Sequence, residues 1–273
     1  MGEGQFAQRR YFPTQAFNFM KICGLQKTTL IDYPGHVACT VFTAGCNFRC
    51  PWCYSKELVL PELIVQQPQI PEEEILEFLR TKQGLLEGAV ICGGEPTLHP
   101  DLSEFCQKIK DLGFLVKLDT NGSNPKMLKE LIDRKLIDYV AMDIKLPKER
   151  YAMLFADIDR GSTPVNLTGV EPLSMSADDI ETSIKILKNS AVDFEFRTTC
   201  APTIHTPDDF EIMAKWIGQD VLGRPPKYFL QNFKPGRNID PRFENLKPFD
   251  NEFFTAALAK IKPYVPSVRL RDL

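Results

Sequence analysis

The sequence predicts an α/β protein built as a partial (β/α)6 TIM-like barrel. Short apolar, β-branched runs alternate with stretches whose apolar residues recur at helical spacing, and conspicuous polar motifs follow the ends of the apolar runs. Such alternation implies parallel strands joined by right-handed crossovers. Six βα units can be traced, fewer than the eight that close a TIM barrel, so the barrel stays open.

The elements follow in order. Lys21 to Asp32 alternates irregularly and ends in Tyr33-Pro34-Gly35, a turn signal, so it reads as an extended arm or hairpin ahead of the barrel. Val37 to Thr43 is the first buried strand. A helix follows Pro71, its acidic first turn Glu72 to Glu74 suiting the dipole, with Ile75, Phe78 and Leu79 as its apolar face. Ala89 to Cys92 is the second strand, and Asp101 with Glu104 forms a capping-box-like start to a helix carrying Leu102, Phe105, Cys106 and Ile109. Phe114 to Leu118 is the third strand, Asn124-Pro125 caps the next helix, and Tyr139 to Ile144 is the fourth strand.

Residues 147–175 contain Gly161, Pro164, Gly169 and Pro172 with weak periodicity, a longer connection than such units usually carry, and a candidate lid or docking loop. Ser176 and Asp179 open another helix, Phe194 to Thr199 is the fifth strand, and Thr206-Pro207 opens a helix in which Trp216 reads as packing. Tyr228 to Phe233 is the sixth strand. A helix through Phe253 to Ile261 and an extended segment at Val268 to Leu270 complete the chain.

At 273 residues, one domain over 20–273 is expected, with residues 1–19 either an extension or an upstream start. A net charge of −3 without a clustered basic surface disfavours nucleic acid as a partner. No run suits a signal peptide or a membrane span, so the expected location is cytoplasmic, where the eight cysteines read as thiols or metal ligands.

The cysteines are unevenly placed. Cys46, Cys50 and Cys53 fall in one Cys-x-x-x-Cys-x-x-Cys loop straight after the first strand, with no fourth cysteine beside them. Structural zinc takes four closed ligands and an ordinary iron-sulfur cluster four thiolates, so three suggest a metal centre with one open position. A zinc site completed by His36 or Cys39 is the alternative, although Cys39, inside a strand, reads better as a core thiol. Barrels of this class carry their sites at the C-terminal strand ends, where the chain places Gly93-Gly94-Glu95-Pro96-Thr97, Asp119-Thr120-Asn121-Gly122, Asp143, Lys145 and Arg197. Paired glycines let a backbone approach a ligand closely, and Glu95 is placed to accept from a ligand ammonium.

The three-cysteine loop resembles the signature of the radical S-adenosylmethionine (radical SAM) enzymes. The resemblance implies a 4Fe-4S cluster held by Cys46, Cys50 and Cys53, its fourth iron chelated by S-adenosylmethionine, with Trp52 beside the adenine and Tyr54 among the cofactor contacts. Gly93, Gly94 and Glu95 resemble the element that holds the methionine amino group. Asp119-Thr120-Asn121-Gly122 and Met142-Asp143-Ile144-Lys145 resemble the glycyl-radical-enzyme activating branch. There, matching aspartates and threonine and methionine carbonyls hold a monovalent cation beside the cofactor carboxylate, which points to Asp119, Thr120, Met142 and Asp143 here. From Gly24 to about Phe233, including Glu195-Phe196-Arg197-Thr198-Thr199, the chain is similar to anaerobic ribonucleoside-triphosphate reductase activating proteins. It departs at Tyr54-Ser55, where relatives often have His-Asn, and at Leu230-Gln231-Asn232-Phe233, which lacks a histidine found near the nucleoside in a formate-lyase activator.

The resemblance implies reductive cleavage of S-adenosylmethionine to a 5′-deoxyadenosyl radical that removes hydrogen from a glycine of a partner such as anaerobic ribonucleotide reductase. A flavodoxin- or ferredoxin-type protein would donate the electron. No side chain is assigned as acid or base, because the cofactor carries the chemistry. Cys23, Cys92 and Cys200 are scattered, which argues against an auxiliary cluster. Two alternatives stand beside this reading: the same chemistry on a small molecule or nucleoside precursor, and a non-catalytic zinc-binding module.

Overall fold

The apolar runs form one continuous sheet whose strands lie side by side in chain order. The computed structural model describes residues 20–155, 176–218 and 224–271. β1 (Ile22–Thr29) pairs antiparallel with β2 (Ala38–Thr43) across a turn in which Gly35 takes φ +81°. Every later pairing is parallel, through β3 (Gly88–Gly93), β4 (Leu115–Thr120), β5 (Tyr139–Asp143), β6 (Asp193–Cys200), β7 (Lys227–Asn232) and β8 (Arg269–Arg271). β1 and β8 form the two edges of an eight-stranded, unclosed sheet. The expected six parallel strands are β2–β7, with the hairpin arm and the terminal segment added at either side.

Helices cover the outer face. α1 (Lys56–Val59) and α2 (Pro61–Ile64) follow the cysteine loop, and were not expected because four residues are too few to show a period. α3 (Glu72–Arg80), α4 (Leu102–Asp111) and α5 (Pro125–Asp133) cross between the next strands, with the buried apolar stripes that the sequence implies. α6 (Ala152–Phe155), α7 (Ala177–Asn189), α8 (Pro207–Gly218) and α9 (Asn251–Ile261) follow. Asn124 caps α5 through Met127 N–H, and Ser176 with Asp179 closes the capping box of α7. Asp101 makes no such cap; its carboxylate takes the N–H of Met20 at 2.7 Å, tying β1's approach to α4. Cys106 is fully buried on α4, as its spacing implies. No described helix is long and apolar enough to cross a membrane.

Strand side chains alternate between two environments. Val116 and Leu118 enter the large core beneath the helices, whereas Leu115 packs inside the barrel with Tyr33, Ala38, Val90, Cys92 and Tyr139. Above that small plug the interior is polar. Glu195, fully buried, accepts Tyr139 Oη at 2.8 Å and the Arg271 guanidinium at 2.6 and 2.8 Å. Arg271 thereby anchors β8 to β6, and its guanidinium also lies 3.9 Å from the centroid of the Phe229 ring.

Residues 1–19, and 156–175 of the long connection, lie outside the described residues. The connection begins with a turn at Lys148–Arg150 and α6, where Tyr151 and Leu154 are buried. These pack on the cysteine loop: Phe48 meets Tyr151 ring to edge and Phe155 at a tilt, and Arg49 N–H donates to Leu154 O at 3.1 Å.

Arg271→Leu leaves Glu195 charged and buried without its bidentate partner. Equilibrium urea unfolding should show a loss of roughly 3 kcal/mol. Adding Glu195→Gln should restore part of that loss; an unchanged unfolding midpoint in the single variant would refute the anchoring role.

Candidate cluster and cofactor site

All the motif-bearing loops leave the same end of the sheet, because parallel strands share one direction. β2 delivers the cysteine loop, β3 the Gly93-Gly94-Glu95 turn, β4 the Asp119–Gly122 segment, β5 Asp143 and Lys145, and β6 Arg197. The loops are locked to one another by their backbones. Gly94 N–H donates to Thr43 O at 2.9 Å, Glu95 N–H to Gly45 O at 2.7 Å, and Gly45 N–H to Leu58 O at 2.7 Å. A Cβ on Gly93 would lie 2.2 Å from Thr43 O, and one on Gly94 would lie 2.0 Å from Gly45 O. The paired glycines therefore let the second loop approach the cysteine loop itself.

Glu95 is correspondingly different from its expected role. Its side chain is fully buried: Oε1 accepts from Thr97 N, Thr97 Oγ1 and Thr120 Oγ1 at 3.1, 2.5 and 2.7 Å, and Oε2 from Asn121 N at 2.6 Å. Burial raises its pKa against these hydrogen bonds. A carboxylate so engaged is a strut joining the loops of β3 and β4, and a ligand ammonium would have to compete with four internal donors. Asn121 extends the strut, donating to Asn47 Oδ1 at 2.9 Å and approaching Cys46 Sγ at 4.0 Å.

The three cysteines share one buried space. Cys46, Cys50 and Cys53 are each close enough to feel Lys145, and Cys50 feels both of the others. Burial pushes Cys46 and Cys50 up to about 12, so as ligands they need a metal cation to draw off their protons. Among the described residues no three His, Cys, Asp or Glu side chains are placed to share a single metal ion. His36 pairs with Glu87 at the far end of β2, and Cys39 is buried in that strand, so neither completes a zinc set. Three neighbouring thiols on one loop fit a cluster in which each binds a different metal atom. Phe48 N–H, 3.4 Å from Cys46 Sγ, supplies a hydrogen bond of the kind that tunes such ligands.

Trp52 does not stand open to a ligand. It is 5% exposed, part of the main core, and edge-on to His205 at 5.7 Å, so it supports the loop from beneath; the exposed ring is Tyr54, at 62%. His205 Nδ1 accepts Ala201 N–H at 3.0 Å, which leaves Nε2–H to donate to Lys145 O at 2.8 Å. Met142 is buried with its thioether end against Gly122.

Arg197 joins the two aspartates expected to flank a cation. Its Nε donates to Asp143 Oδ1 and its Nη1 to Asp119 Oδ2, both at 2.9 Å. Lys145 Nζ takes Asp143 Oδ2 at 3.2 Å, and Lys117 Nζ pairs with Asp119 Oδ1. Burial alone would raise both carboxyls, but Arg197 with the two lysines holds them below the ordinary aspartate range. Protein cations face all four carboxylate oxygens of the pair expected to flank a monovalent cation.

Sequence reasoning missed Lys117 and the strap at Gly236–Asp240. Lys117 was concealed inside an apolar run, and its one signal is the two-residue step to Asp119, which puts both on one face of β4. In the strap, Asn238 Nδ2 donates to Trp52 O at 2.9 Å, Ile239 N–H to Cys53 O at 2.9 Å, and Asp240 N–H to Pro51 O at 3.0 Å. Three successive carbonyls of the cysteine loop are held from outside, and Asn238 is fully buried.

After anaerobic reconstitution, Cys50→Ala should lose its iron-sulfur absorbance and iron content, whereas Cys106→Ala should keep both; a retained cluster in Cys50→Ala rules out the ligand assignment. Asn238→Ala strands the Trp52 carbonyl, at a cost of about 1–3 kcal/mol. Iron should then leave faster under chelator challenge, and equal rates for wild type and variant would exclude the strap's role.

The site's resemblances extend to whole proteins. The radical SAM superfamily model matches residues 40–160, which span the cysteine loop, the glycine turn and both aspartates. A Methanocaldococcus jannaschii protein, provisionally named a glycyl-radical enzyme activating enzyme, is 32% identical over 257 residues, covering 92% of this chain and 96% of the relative. A 7-carboxy-7-deazaguanine synthase of Methanopyrus kandleri is 28% identical over 70% of this chain and 84% of its own. In fold, Streptococcus suis SuiB bound to S-adenosylmethionine aligns with a TM-score of 0.53 at 14% identity, covering 84% of this chain and 48% of SuiB, so this chain spans about half that protein. With a relative matched almost end to end and three thiols gathered at the barrel mouth, this chain belongs to the radical SAM superfamily.

Proposed function

We propose that this protein is a glycyl-radical-enzyme activating enzyme, acting on anaerobic ribonucleoside-triphosphate reductase or a related partner. The observation that carries the reading is the 32% identity across 92% of the chain to the M. jannaschii relative of that provisional name. The unclosed sheet supports it, since a gap between edge strands β1 and β8 suits a substrate that is a segment of another protein.

When bound, the cluster and S-adenosylmethionine supply the one-electron chemistry. Cys46, Cys50 and Cys53 would hold the cluster. Arg197 and Lys145 would hold the cofactor carboxylate, and Tyr54, exposed beside the third cysteine, would border its adenine. Asn121 and the Gly93-Gly94 turn fix the loop around it. Asn232, in the segment that lacks the formate-lyase activator's histidine, donates to Phe249 O at 2.8 Å and so serves the fold. A flavodoxin- or ferredoxin-type reductant would deliver the electron.

The deazaguanine synthase relative favours a second reading, with a small heterocyclic substrate. One experiment separates the two. The reconstituted enzyme is mixed anaerobically with reductant, S-adenosylmethionine and an anaerobic ribonucleoside-triphosphate reductase, and the glycyl radical is quantified by electron paramagnetic resonance. The expected result is a protein-dependent doublet that vanishes on replacing the partner's radical glycine with alanine. Cofactor cleavage with no doublet on any glycyl-radical partner would reject the activating role.

A further inference from the structure

Lys117 occupies a place where a charge is rarely buried. It lies mid-strand in β4 at 1% side-chain exposure, its stem in the barrel interior and its ammonium against Asp119 Oδ1. Burying a lysine is costly unless it is paired, so its presence demands a partner that remains charged. Asp119 is that partner, at 12% exposure.

The neighbouring charges differ in freedom. Arg197 is 13% exposed and Lys145 21%; Arg197 pairs in register with Asp143, the last residue of β5, and Lys145 lies two residues beyond it, so both stand nearer the mouth than Lys117. Lys117 is two residues deeper on its strand than Asp119. Lys117, Lys145 and Arg197 contribute +3 against −2 from Asp119 and Asp143, a balance of +1. One incoming carboxylate would neutralise that balance, whereas a further cation would double it. Nor is there an oxygen left for such a cation on the side chains here. Each aspartate oxygen faces a protein cation, and the Thr120 hydroxyl donates to Glu95.

We propose that Lys117 is a built-in replacement for the monovalent cation, so that this enzyme binds S-adenosylmethionine without sodium or potassium. The inference rests on the reading of Arg197 and Lys145 as the carboxylate-binding pair. An anion that Arg197 and Lys145 engage while keeping their contacts with the aspartates draws on their charge, and Lys117 keeps Asp119 neutralised. A tethered ammonium does this with no loss of translational freedom, and it is present whatever the salt. Lys117 is therefore a positioning residue. It acts through Asp119 and has no contact with the reacting atoms.

The test measures S-adenosylmethionine affinity by equilibrium dialysis on the reconstituted holoenzyme, in sodium, potassium and choline chloride at equal ionic strength. Wild type should vary by no more than about twofold among the three salts. Lys117→Met, close in length and without charge, should bind roughly tenfold more weakly in choline and recover most of that loss in sodium or potassium. That salt-specific rescue distinguishes ion replacement from general damage. A wild-type enzyme that loses affinity in choline overturns the proposal, and so does a Lys117→Met variant equally impaired, or unimpaired, in every salt. If the variant does not fold, the wild-type comparison decides alone. Failure of the wild type to bind in any salt would instead reject the underlying assignment of the cofactor site, and this inference with it.

Discussion

The site depends on one buried carboxylate. Glu95 has its own N–H on Gly45 of the cysteine loop, and its side chain on Thr97, Thr120 and Asn121. A charge taken wholly out of water is tolerated only when its oxygens are met by several donors, and hydrogen bonds to a charged acceptor are stronger than neutral ones. The loops after β2, β3 and β4 are consequently held in register by an interaction that none of them can make alone. The glycines before Glu95 serve the same end, since a side chain at either would push the two loops apart.

A second layer of order lies below, inside the barrel. Most barrels of this width are packed with aliphatic side chains. Here apolar filling is confined to a small group around Tyr33, Val90 and Tyr139, while Glu195, Arg271, Lys117, Asp119, Arg197 and Asp143 occupy the rest as pairs. Each pair spans different strands or successive inward positions of one strand. Moving β4, β5, β6 or β8 by one residue would put a charge among the helices, so the network specifies register as well as stabilising it. Rigid strands also hold charges more accurately than loops do, which suits a site that must orient a cofactor.

Those features were unequally legible in the sequence. Strand positions were readable because parallel strands buried on both faces are nearly continuous apolar runs, as in Ala89-Val90-Ile91-Cys92. The cysteines, both aspartates and Arg197 were readable because they fall where such runs end. What a side chain does there was less visible. Glu95 and Trp52 were recognised by residue type, but whether a carboxylate or a ring turns toward a ligand or toward its own chain depends on neighbours remote in sequence, here Asn121 and His205. Asn238 lies 186 positions from the carbonyl it caps, in a segment with no period of its own.

The strap and the start of the long connection give the cysteine loop its outer support. Barrel loops normally owe their shape to the strands that bear them, but the second half of this loop leaves β2 behind and runs toward solvent. Its carbonyls at Pro51, Trp52 and Cys53 are satisfied by residues after β7, and Phe48 and Arg49 are met by α6, which follows β5. Three thiols can present a fixed geometry to a cluster only if the peptides between them cannot rotate, and a trans peptide whose oxygen is held has its N–H direction fixed as well. Structure contributed by the later half of the chain therefore determines how the cysteines near its beginning are arranged, and a truncation before Gly236 would be expected to leave the three ligands on a loop free to adopt several shapes.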